Sequence, residues 1–587
     1  MRVICFCLLL AASTAAQIAP LDFKSNFESG NVANIHQIGV DSFTFEITLD
    51  NIPGDTYGWY YFAIVGNHGR VARLFLTNPD GWQNESCNPL YSFDNIHWGR
   101  VSNVWREGNW LAFSQMLGAD TVWFAQGFPF TLSRLNSYLD SLCCNSNVNV
   151  QTLGESPHGR PIKIITITDP AYPGSNKKTA WLISRQHPME SGPTFLLRGF
   201  LDNVVDTSAF ARRWRRDIIL KVIPIVNVDG VTEGYSRQNS HGVNLNRDWH
   251  QDFLLEEPEV RAAHEEIVEY LSSGSGIDLF MDLHAAPDNY DFGFRMSLSY
   301  TNQPYFQNQE TFLHLLETFD TWQDRTRWRD LDTNYAFGVS CVVLYDMYGL
   351  DAFSSEIPWT RRDDNSLITA PSIIYQGRRW TEAIYNYLYP LTLYTAQDSV
   401  MDSIVPGEPF DPRIWDFDQV NKDSLTVSVS CHESGDLEQI TLHRTNDDGI
   451  FEPHALFPTD TIPAVAGDGI LSIRLGDQLA ATYIDPDLPS RTYHRYLPVG
   501  SQCVYVPGDV NGSGVANGTD VVYLVNYLKG GPSPPIRCAC GAVGAIYVAA
   551  DANGSCDING LDITYLVNYF KRGGVIQFCI ECPPEFR

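Results

Sequence analysis

Apolar runs alternate with helical patterns between residues 146 and 395, and this alternation restricts the fold more than any other feature of the chain. A helical pattern with an acidic outer face covers residues 258–271. Strands that alternate with helices indicate an α/β domain whose largely parallel or mixed sheet is covered by helices on both faces. In such sheets, functional sites gather beyond the carboxyl ends of the strands. The strand-like runs are residues 161–168, 179–184, 218–227 and 277–283.

Three side chains that can bind a metal lie at the ends of two of these runs. His187 and Glu190 follow the run 179–184 on a loop, and His284 comes directly after the run 277–283. A catalytic zinc usually takes three protein ligands and a water, and it accepts imidazole nitrogen and carboxylate oxygen. Taken alone, His-x-x-Glu is a weak pattern, because a single histidine is usually a surface or core residue. The positions at strand ends nevertheless predict a zinc site at these three residues.

Short alternating runs on both sides of this region predict two further β-rich domains. We interpret residues 17–145 as an N-terminal β-sandwich without evident catalytic chemistry, which ends in a helix at 132–142. Residues 396–503 are interpreted as a second β-sandwich, which serves as a spacer or as a module packed on the α/β domain.

Residues 504–587 contain an internal repeat in which an oxygen-rich loop of twelve residues precedes a similar helix. Oxygen-bearing side chains at loop positions 1, 3, 5, 9 and 12 suit a hard cation such as Ca²⁺, with the backbone carbonyl at position 7. The second loop has Cys556 at position 6, where glycine is usual, and both loops end in Asp instead of Glu. The predicted calcium ligands are Asp509, Asn511, Ser513, Val515, Asn517 and Asp520 in the first loop, and Asp551, Asn553, Ser555, Asp557, Asn559 and Asp562 in the second.

This pair of loops resembles a dockerin module, a small α-helical domain with two EF-hand-like calcium loops. The resemblance covers residues 504–587 and implies two bound Ca²⁺ ions and a cohesin-type receptor as partner. The alternative is a calcium-stabilised cap that has no partner.

A series of motifs between residues 27 and 390 resembles the zinc carboxypeptidase family, and specifically its cytosolic-carboxypeptidase-like branch. In that branch a β-sandwich precedes the catalytic domain, as the β-rich region at 17–145 precedes the α/β region here. The motifs are 27–31, 73–78 and 123–130 in the sandwich, the zinc motif His-Pro-Met-Glu at 187–190, Asn-Val-Asp-Gly-Val at 227–231 with Val228 in place of proline, the carboxylate-binding motif Asn-Leu-Asn-Arg at 244–247, and Asp-Leu-His at 282–284.

The resemblance implies a catalytic role for several residues. One Zn²⁺ would be held by His187, Glu190 and His284, and Glu356 in the strand-like run 352–357 would be the general base. Arg237 would stabilise the oxyanion that develops on the substrate. For Glu356, the alternative is a structural salt bridge to an arginine.

The resemblance also implies residues that bind the substrate. Asn246 and Arg247 would hold the terminal carboxylate, because a planar guanidinium pairs bidentately with a carboxylate. Tyr335 is the match for a mobile tyrosine of the family, with Tyr345 and Tyr348 as competitors. Asp282 is interpreted as a residue that supports His284.

Substrate preference is where the sequence departs from the family pattern. The branch uses an arginine to read an acidic terminal side chain, and Ser340 or Cys341 occupies that position here. A pocket without this charge favours neutral or apolar terminal residues, although Arg361 or Arg362 could enter the pocket from elsewhere.

Charge and targeting signals indicate where the protein works. The formal net charge is −29, which argues against a nucleic-acid surface. Residues 1–16 have the pattern of a signal peptide, and no later run reaches the ~18 apolar residues that a membrane-spanning helix needs. We therefore expect a protein that is secreted or associated with the cell surface.

Cysteine usage agrees with export. Six cysteines occur near the C-terminus, and in an exported protein this density indicates disulfides. A zinc site is the alternative, but the spacing lacks paired Cys-x-x-Cys motifs, and the sequence does not give the pairing. The six are Cys503, Cys538, Cys540, Cys556, Cys579 and Cys582.

Three functional hypotheses remain open at this point. The first is an exported zinc carboxypeptidase that acts on peptide or protein C-termini and carries a docking module. The second is a zinc amidase or peptidase acting on cell-wall peptides, and the third is a non-catalytic binding protein that carries a dockerin.

Overall fold

A computed structural model describes the protein from residue 21 to residue 579, and none of the helices it describes is long and apolar enough to cross a membrane. Short gaps in the described range are residues 51–57, 67–68, 80–82, 84–87, 173–176, 287–290, 332–337, 359, 363, 402, 418, 420, 432–433, 446–448, 462, 475–477, 487–491, 500–504, 540–544 and 574–575.

The N-terminal region forms two five-stranded sheets. Its strands are β1 (Asp22–Lys24), β2 (Ala33–Gly39), β3 (Ser42–Glu46), β4 (Tyr61–Val65), β5 (Val71–Leu76), β6 (Leu90–Ser92), β7 (Trp98–Arg100), β8 (Asn103–Glu107), β9 (Trp110–Met116) and β10 (Thr121–Ala125). One sheet has the order β1-β4-β10-β6-β7 and the other β2-β3-β5-β9-β8. The ring of Phe45 in the second sheet lies 5.2 Å from that of Phe62 in the first, and the rings of Phe113 and Phe124 repeat this contact at 5.9 Å. The predicted N-terminal β-rich domain is therefore confirmed.

Two segments from later in the chain belong to the same compact unit as this sandwich. They are His187–Ser191 and Asp229–Asn244, while the remaining residues form a second unit. The predicted zinc loop and the loop of Arg237 are thus parts of the N-terminal unit, although they come from the middle of the sequence.

The α/β region of the second unit is built on an eight-stranded sheet. Its strands are β11 (Val148–Glu155), β12 (Pro161–Ile167), β13 (Lys178–Ser184), β14 (Ile218–Ile223), β15 (Leu279–Ala286), β16 (Phe292–Met296), β17 (Arg329–Leu331) and β18 (Ala352–Pro358). The order is β11-β12-β14-β13-β15-β18-β16-β17. The four central strands β14, β13, β15 and β18 are parallel, and antiparallel pairs flank them. The mixed sheet predicted from the alternating runs is confirmed.

The described residues of this part of the chain form eight α-helices. They are α1 (Leu132–Leu142), α2 (Gly192–Val204), α3 (Ala209–Asp217), α4 (Val228–Glu233), α5 (Pro258–Ser272), α6 (Gln303–Phe319), α7 (Ser340–Tyr348) and α8 (Ala370–Leu388).

Two strand ends differ from the sequence prediction. β14 stops at Ile223 instead of continuing to residue 227, because Pro224 has no amide hydrogen to continue the ladder. β15 continues to Ala286, so His284 lies inside a strand and not beyond its end.

Residues 391–498 form a seven-stranded sheet with a small two-stranded sheet. The strands are β19 (Leu391–Tyr394), β20 (Asp411–Trp415), β21 (Ser424–Cys431), β22 (Leu437–Arg444), β23 (Ile450–Glu452), β24 (Thr459–Asp460), β25 (Leu471–Ser472), β26 (Gln478–Ile484) and β27 (Thr492–Pro498). The seven-stranded order is β19-β20-β23-β22-β21-β26-β27, and β24 pairs with β25. The region is β-rich as predicted, but one large sheet dominates it instead of two comparable ones.

The C-terminal repeat folds into two loop–helix units around a small apolar core. Its elements are α9 (Gly518–Leu528), β28 (Cys538–Ala539), β29 (Ala545–Ile546) and α10 (Gly560–Arg572). Val510, Leu524 and Leu566 are fully buried in the core. Cys556 is disulfide-bonded to Cys579, and Cys538 is also disulfide-bonded. Cys503, Cys540 and Cys582 lie outside the described residues.

Candidate metal centre

The loop after β13 turns sharply to present His187 and Glu190. Arg185 has a φ of +60°, which is uncommon for a residue with a side chain, and it turns the chain directly after the strand. The turn is held by the amides of Val226 and Asn227, which donate to the carbonyls of Ser184 and Arg185. Such strained backbone is typical of functional sites.

His187 and Glu190 are both buried, and their polar atoms face one another. His187 Nδ1 lies 2.8 Å from Glu190 Oε1, and His187 Nε2 lies 3.1 Å from Asn244 Oδ1. The amide oxygen of Asn244 only accepts, so it favours the tautomer with the proton on Nε2. The lone pair of Nδ1 then faces a carboxylate oxygen, and this arrangement is stable when a cation lies between the two groups.

His284 has the same arrangement at its own ring. Its Nε2 lies 3.0 Å from Asp282 Oδ2, and both side chains are buried. Metal-binding histidines usually donate their second ring N–H to a carboxylate or carbonyl, which fixes the tautomer and the ring orientation. Asp282 Oδ2 and the side-chain amide nitrogen of Asn246 both lie 3.0 Å from Nε2, so these two groups hold the orientation of the His284 ring.

The three predicted ligands come together. One ligand atom each from His187, Glu190 and His284 lies within 4.8 Å of the other two. Two imidazoles and one carboxylate are a donor set that catalytic zinc accepts, with a coordination position left for water. The residues therefore fit Zn²⁺.

Asp282 is the centre of a buried hydrogen-bond network behind His284. Gln186 Nε2 and Ser340 Oγ each donate to Asp282 Oδ2 over 2.5 Å, and Trp249 Nε1 donates to Gln186 Oε1 over 2.9 Å. The interpretation of Asp282 as a support for His284 agrees with this geometry. Ser340 is fully buried, and its hydroxyl is engaged with Asp282.

This network predicts a loss of metal affinity when it is broken. We expect Asp282→Asn and Ser340→Ala each to weaken zinc binding by about 10–100-fold, because ligand-orienting partners typically contribute that much. Competition for zinc with a chromophoric chelator measures the effect. Ser297→Ala, at a serine that contacts Ser299 instead, is the matched control. An unchanged zinc affinity in both variants would show that the network is only structural.

Asn246 and Arg247 occupy different environments. Asn246 is buried, accepts the amide of Ser340 over 3.2 Å and places Nδ2 3.0 Å from His284 Nε2. Arg247 is exposed, and its Nη1 donates to the carbonyl of Asn246 over 2.6 Å. Gly338, with a φ of +74°, lies against this turn, where a Cβ would come within 2.3 Å of the Arg247 carbonyl oxygen. Arg247 is therefore displayed to solvent on a tightly held backbone.

Glu356 and Arg237 are the predicted general base and the predicted oxyanion donor. Glu356 on β18 is in register with His284 on the parallel strand β15, so the two side chains leave the same face of the sheet. Arg237 Nη1 lies 3.5 Å from His187 Nδ1. Each residue is thus beside one of the histidine ligands.

The remaining predicted residues do not form a substrate pocket in the described structure. Cys341 is buried, and this burial raises the pKa of its thiol. Arg362 donates to Asp291 over 2.6 Å and its guanidinium stacks on the Trp322 ring, so it is engaged in a buried network. Arg361 Nη1 donates to the carbonyl of Asn365. Tyr335 lies outside the described residues.

Sequence reasoning missed the residues that orient the ligands. Gln186 adjoins the zinc motif and Asn244 begins the Asn-Leu-Asn-Arg motif, so both could have been found from their neighbours. Asp50 accepts hydrogen bonds from the Arg237 loop and is far from every motif in the sequence, so no pattern indicated it.

Comparison with protein families agrees with this geometry. Residues 135–349 match the zinc carboxypeptidase family, residues 23–126 match the cytosolic carboxypeptidase N-terminal domain, and residues 507–571 match the dockerin type I domain. The zinc carboxypeptidase match includes all three ligands and ends before Glu356. The resemblances to these families are confirmed.

Individual relatives match part of the chain. An uncharacterised protein of Zymomonas mobilis is 28% identical over 284 residues, which cover 47% of this chain and 70% of that protein. Mouse cytosolic carboxypeptidase 3 is 27% identical over 298 residues, covering 45% of this chain and 29% of the relative. Mouse cytosolic carboxypeptidase 6 is 25% identical over 319 residues, covering 50% and 58%. The chain thus spans less than two thirds of the length of these two mouse relatives.

Solved structures show the same fold. A metallo-carboxypeptidase from Burkholderia cenocepacia superposes with a TM-score of 0.57 at 22% identity, over 63% of this chain and 99% of that one. A metallo-carboxypeptidase from Pseudomonas aeruginosa, in complex with (2-guanidinoethylmercapto)succinic acid, gives a TM-score of 0.55 at 21% identity, over 62% and 100%.

Proposed function

We propose that this protein is a metallocarboxypeptidase that removes residues from the C-termini of peptides or proteins, because residues 135–349 match the zinc carboxypeptidase family. The observation that carries the proposal is the buried cluster of His187, Glu190 and His284. Both histidines are held by polar side chains at their Nε2 atoms, and this support agrees with a catalytic metal at the cluster.

In this mechanism the chain contributes a base, an oxyanion donor and a clamp around the metal. When bound, Zn²⁺ supplies Lewis-acid polarisation of the scissile carbonyl and lowers the pKa of water. Glu356 takes a proton from the attacking water and returns it to the leaving amine. The guanidinium of Arg237 donates to the oxygen of the scissile carbonyl as negative charge develops there.

Arg247 supplies the selectivity for chain ends. Its exposed guanidinium can pair bidentately with a terminal carboxylate, and an internal peptide bond offers no such group. The backbone carbonyl of Asn246 holds the guanidinium of this arginine, because it accepts a hydrogen bond from Arg247 Nη1. Since the sequence has Ser340 or Cys341 where the branch places an arginine, we propose that the terminal side chain is neutral or apolar.

A clamp of this kind predicts a loss of chain-end recognition on substitution. We expect Arg247→Lys to lower kcat/KM for free C-termini by about 10–100-fold, because charge-assisted hydrogen bonds contribute about 1.5–3 kcal/mol. C-terminally amidated peptides should be poor substrates for the wild-type protein and should be affected little by the substitution. An equal loss on free and amidated peptides would contradict the role of Arg247 as the clamp.

Mass spectrometry of a peptide library tests the proposed function as a whole. The zinc-loaded protein should release single amino acids from C-termini, and the products report which terminal residues it prefers. Cleavage of cell-wall peptides alone would favour the zinc amidase or peptidase hypothesis. An absence of any hydrolysis by zinc-loaded protein would favour the non-catalytic binding protein.

The C-terminal module is proposed to bind two Ca²⁺ ions and a cohesin-type receptor. In the first loop, Asp509 and Asp520 are buried and their carboxylates accept loop amides, including those of Ser513 and Asn517. In the second loop, burial raises the pKa values of Asp551 and Asp562. Buried carboxylates at loop positions 1 and 12 suit a bound cation. A module of this kind would attach the enzyme to a receptor at the cell surface or outside the cell, which agrees with the signal-like pattern of residues 1–16.

A further inference from the structure

The N-terminal sandwich holds the segment that carries Arg237. Ser29 donates two hydrogen bonds to this segment: its amide donates to the Thr232 carbonyl over 2.8 Å, and its hydroxyl donates to the Val231 carbonyl over 2.5 Å. Asn31 Nδ2 donates to the Gly234 carbonyl over 3.1 Å. Both residues belong to the motif 27–31, so this motif has a contact role that its sequence did not reveal.

Gly234 lets the two backbones approach closely. Its φ is +76°, and a Cβ at this position would lie 2.9 Å from the Gly30 carbonyl oxygen. A side chain here would push the segment away from the sandwich, since glycine tolerates both the conformation and the contact.

Asp50 then fixes the next turn of the same segment. It is buried at 4% exposure, and it accepts the amides of Ser236, Arg237 and Gln238 over 3.0, 2.5 and 2.8 Å. Three consecutive amides around one anion form a rigid nest. The conformation of the backbone at Arg237 is therefore set by a carboxylate from the sandwich.

This segment contacts the metal loop as well. The Met189 amide, between His187 and Glu190, donates to the Ser236 carbonyl over 3.0 Å. The Ser236 carbonyl and the Arg237 amide belong to one peptide group, which therefore accepts from the zinc motif and donates to Asp50. The side chain of Arg237 also reaches this motif, since its Nη1 is 3.5 Å from His187 Nδ1.

We propose that Asp50 is a positioning residue of the catalytic site, which aims the Arg237 guanidinium through the three-amide nest. The N-terminal sandwich then contributes directly to the geometry of the catalytic site. This inference rests on the proposed function, because it assigns Arg237 to the reaction.

Asp50→Asn tests the proposal, because an amide has one acceptor oxygen and its NH₂ group opposes a backbone N–H. We expect kcat to fall by about 10–100-fold, since small misplacements of catalytic groups have effects of this size. KM and zinc content should stay near the wild-type values. Asp50→Glu keeps the carboxylate and should recover part of kcat. Asp94→Asn is the matched control, because Asp94 also accepts consecutive loop amides of the sandwich, from Ile96 and His97.

Two further measurements separate positioning from general stability. Hydrogen–deuterium exchange should be faster at residues 231–238 in Asp50→Asn and unchanged there in Asp94→Asn. In an Arg237→Gln background, Asp50→Asn should add little further loss, because the two residues act in one unit. Unchanged exchange and kcat in Asp50→Asn, or a full additional loss in the double variant, would overturn the proposal. If Asp50→Asn does not fold, an Asp50→Glu variant with faster exchange at residues 231–238 and a kcat between those of the wild type and Arg237→Gln supports the proposal, and a wild-type kcat with unchanged exchange overturns it.

Failure of the proposed function gives a different result. The zinc-loaded wild-type protein would then hydrolyse no peptide. The exchange measurement would still show whether Asp50 holds the segment of Arg237, and unchanged exchange would overturn the inference by itself.

Discussion

Glu356→Gln is expected to abolish most of the turnover while leaving zinc bound. The amide cannot take a proton from water, and loss of a general base typically lowers kcat by about 10²–10⁴-fold. Because Glu356 and His284 are register partners on neighbouring strands, the substitution changes the chemistry beside the metal without removing a ligand. Initial rates on a C-terminal peptide substrate, together with zinc content by mass spectrometry, measure both quantities.

Glu265→Gln is the control for this substitution. Glu265 is an exposed residue of α5, and removing its charge should leave kcat at the wild-type value. Full activity in Glu356→Gln would show that another group is the base, and loss of zinc would show that Glu356 supports the ligands instead.

His187→Ala is expected to remove the metal itself. Three protein ligands hold a catalytic zinc, and the loss of one leaves a two-ligand site that should not retain zinc through gel filtration. Activity should disappear with the zinc. The thermal transition should also lose its dependence on added zinc, because a ligand that binds only the folded state stabilises it.

The exposed histidine His36 on β2 provides the comparison for this variant. His36→Ala should retain zinc, activity and the shift of the thermal transition. A chelator should convert the wild-type protein to the behaviour of His187→Ala. Retention of a full equivalent of zinc by His187→Ala would place the metal elsewhere.

The ligand set was predictable from the sequence because each ligand lies beside an apolar strand. The prediction of the ligands did not need the strand order. The structure shows that β13 and β15 are parallel neighbours, so that His187 and His284 lie near the carboxyl ends of adjacent strands. Glu356 was predicted from the resemblance to the family. The register of β15 with β18 shows why it lies beside His284.

Contacts between distant residues could not be predicted in the same way. Ser340 is the first residue of α7, and the sequence around it does not say whether its hydroxyl faces a pocket or Asp282. Asp50 acts through backbone amides, and such acceptors impose no pattern on the residues they bind. The end of β14 at Ile223 could have been predicted from the sequence, because Pro224 lacks an amide hydrogen.

The first residues of the two helices in the C-terminal repeat also differ from the sequence prediction. The helices were predicted to begin after position 12, but α9 and α10 begin at Gly518 and Gly560, inside the loops. The reason is that Asn517 and Asn559 at position 9 are N-caps, each paired in a capping box with the Asp at position 12. The same side chains thus serve both the helix start and the predicted cation site.

The two loops differ in their sensitivity to reducing agents. Position 6 has a positive φ in both, with glycine at 514 and Cys556 in the second loop, where the Cys556–Cys579 disulfide anchors the turn. Thiol reduction would release this anchor from the second loop, whereas residues 509–520 of the first loop contain no cysteine. We therefore expect the conformation of the second loop to depend on the redox state of its surroundings, and this loop is suited to an oxidising compartment.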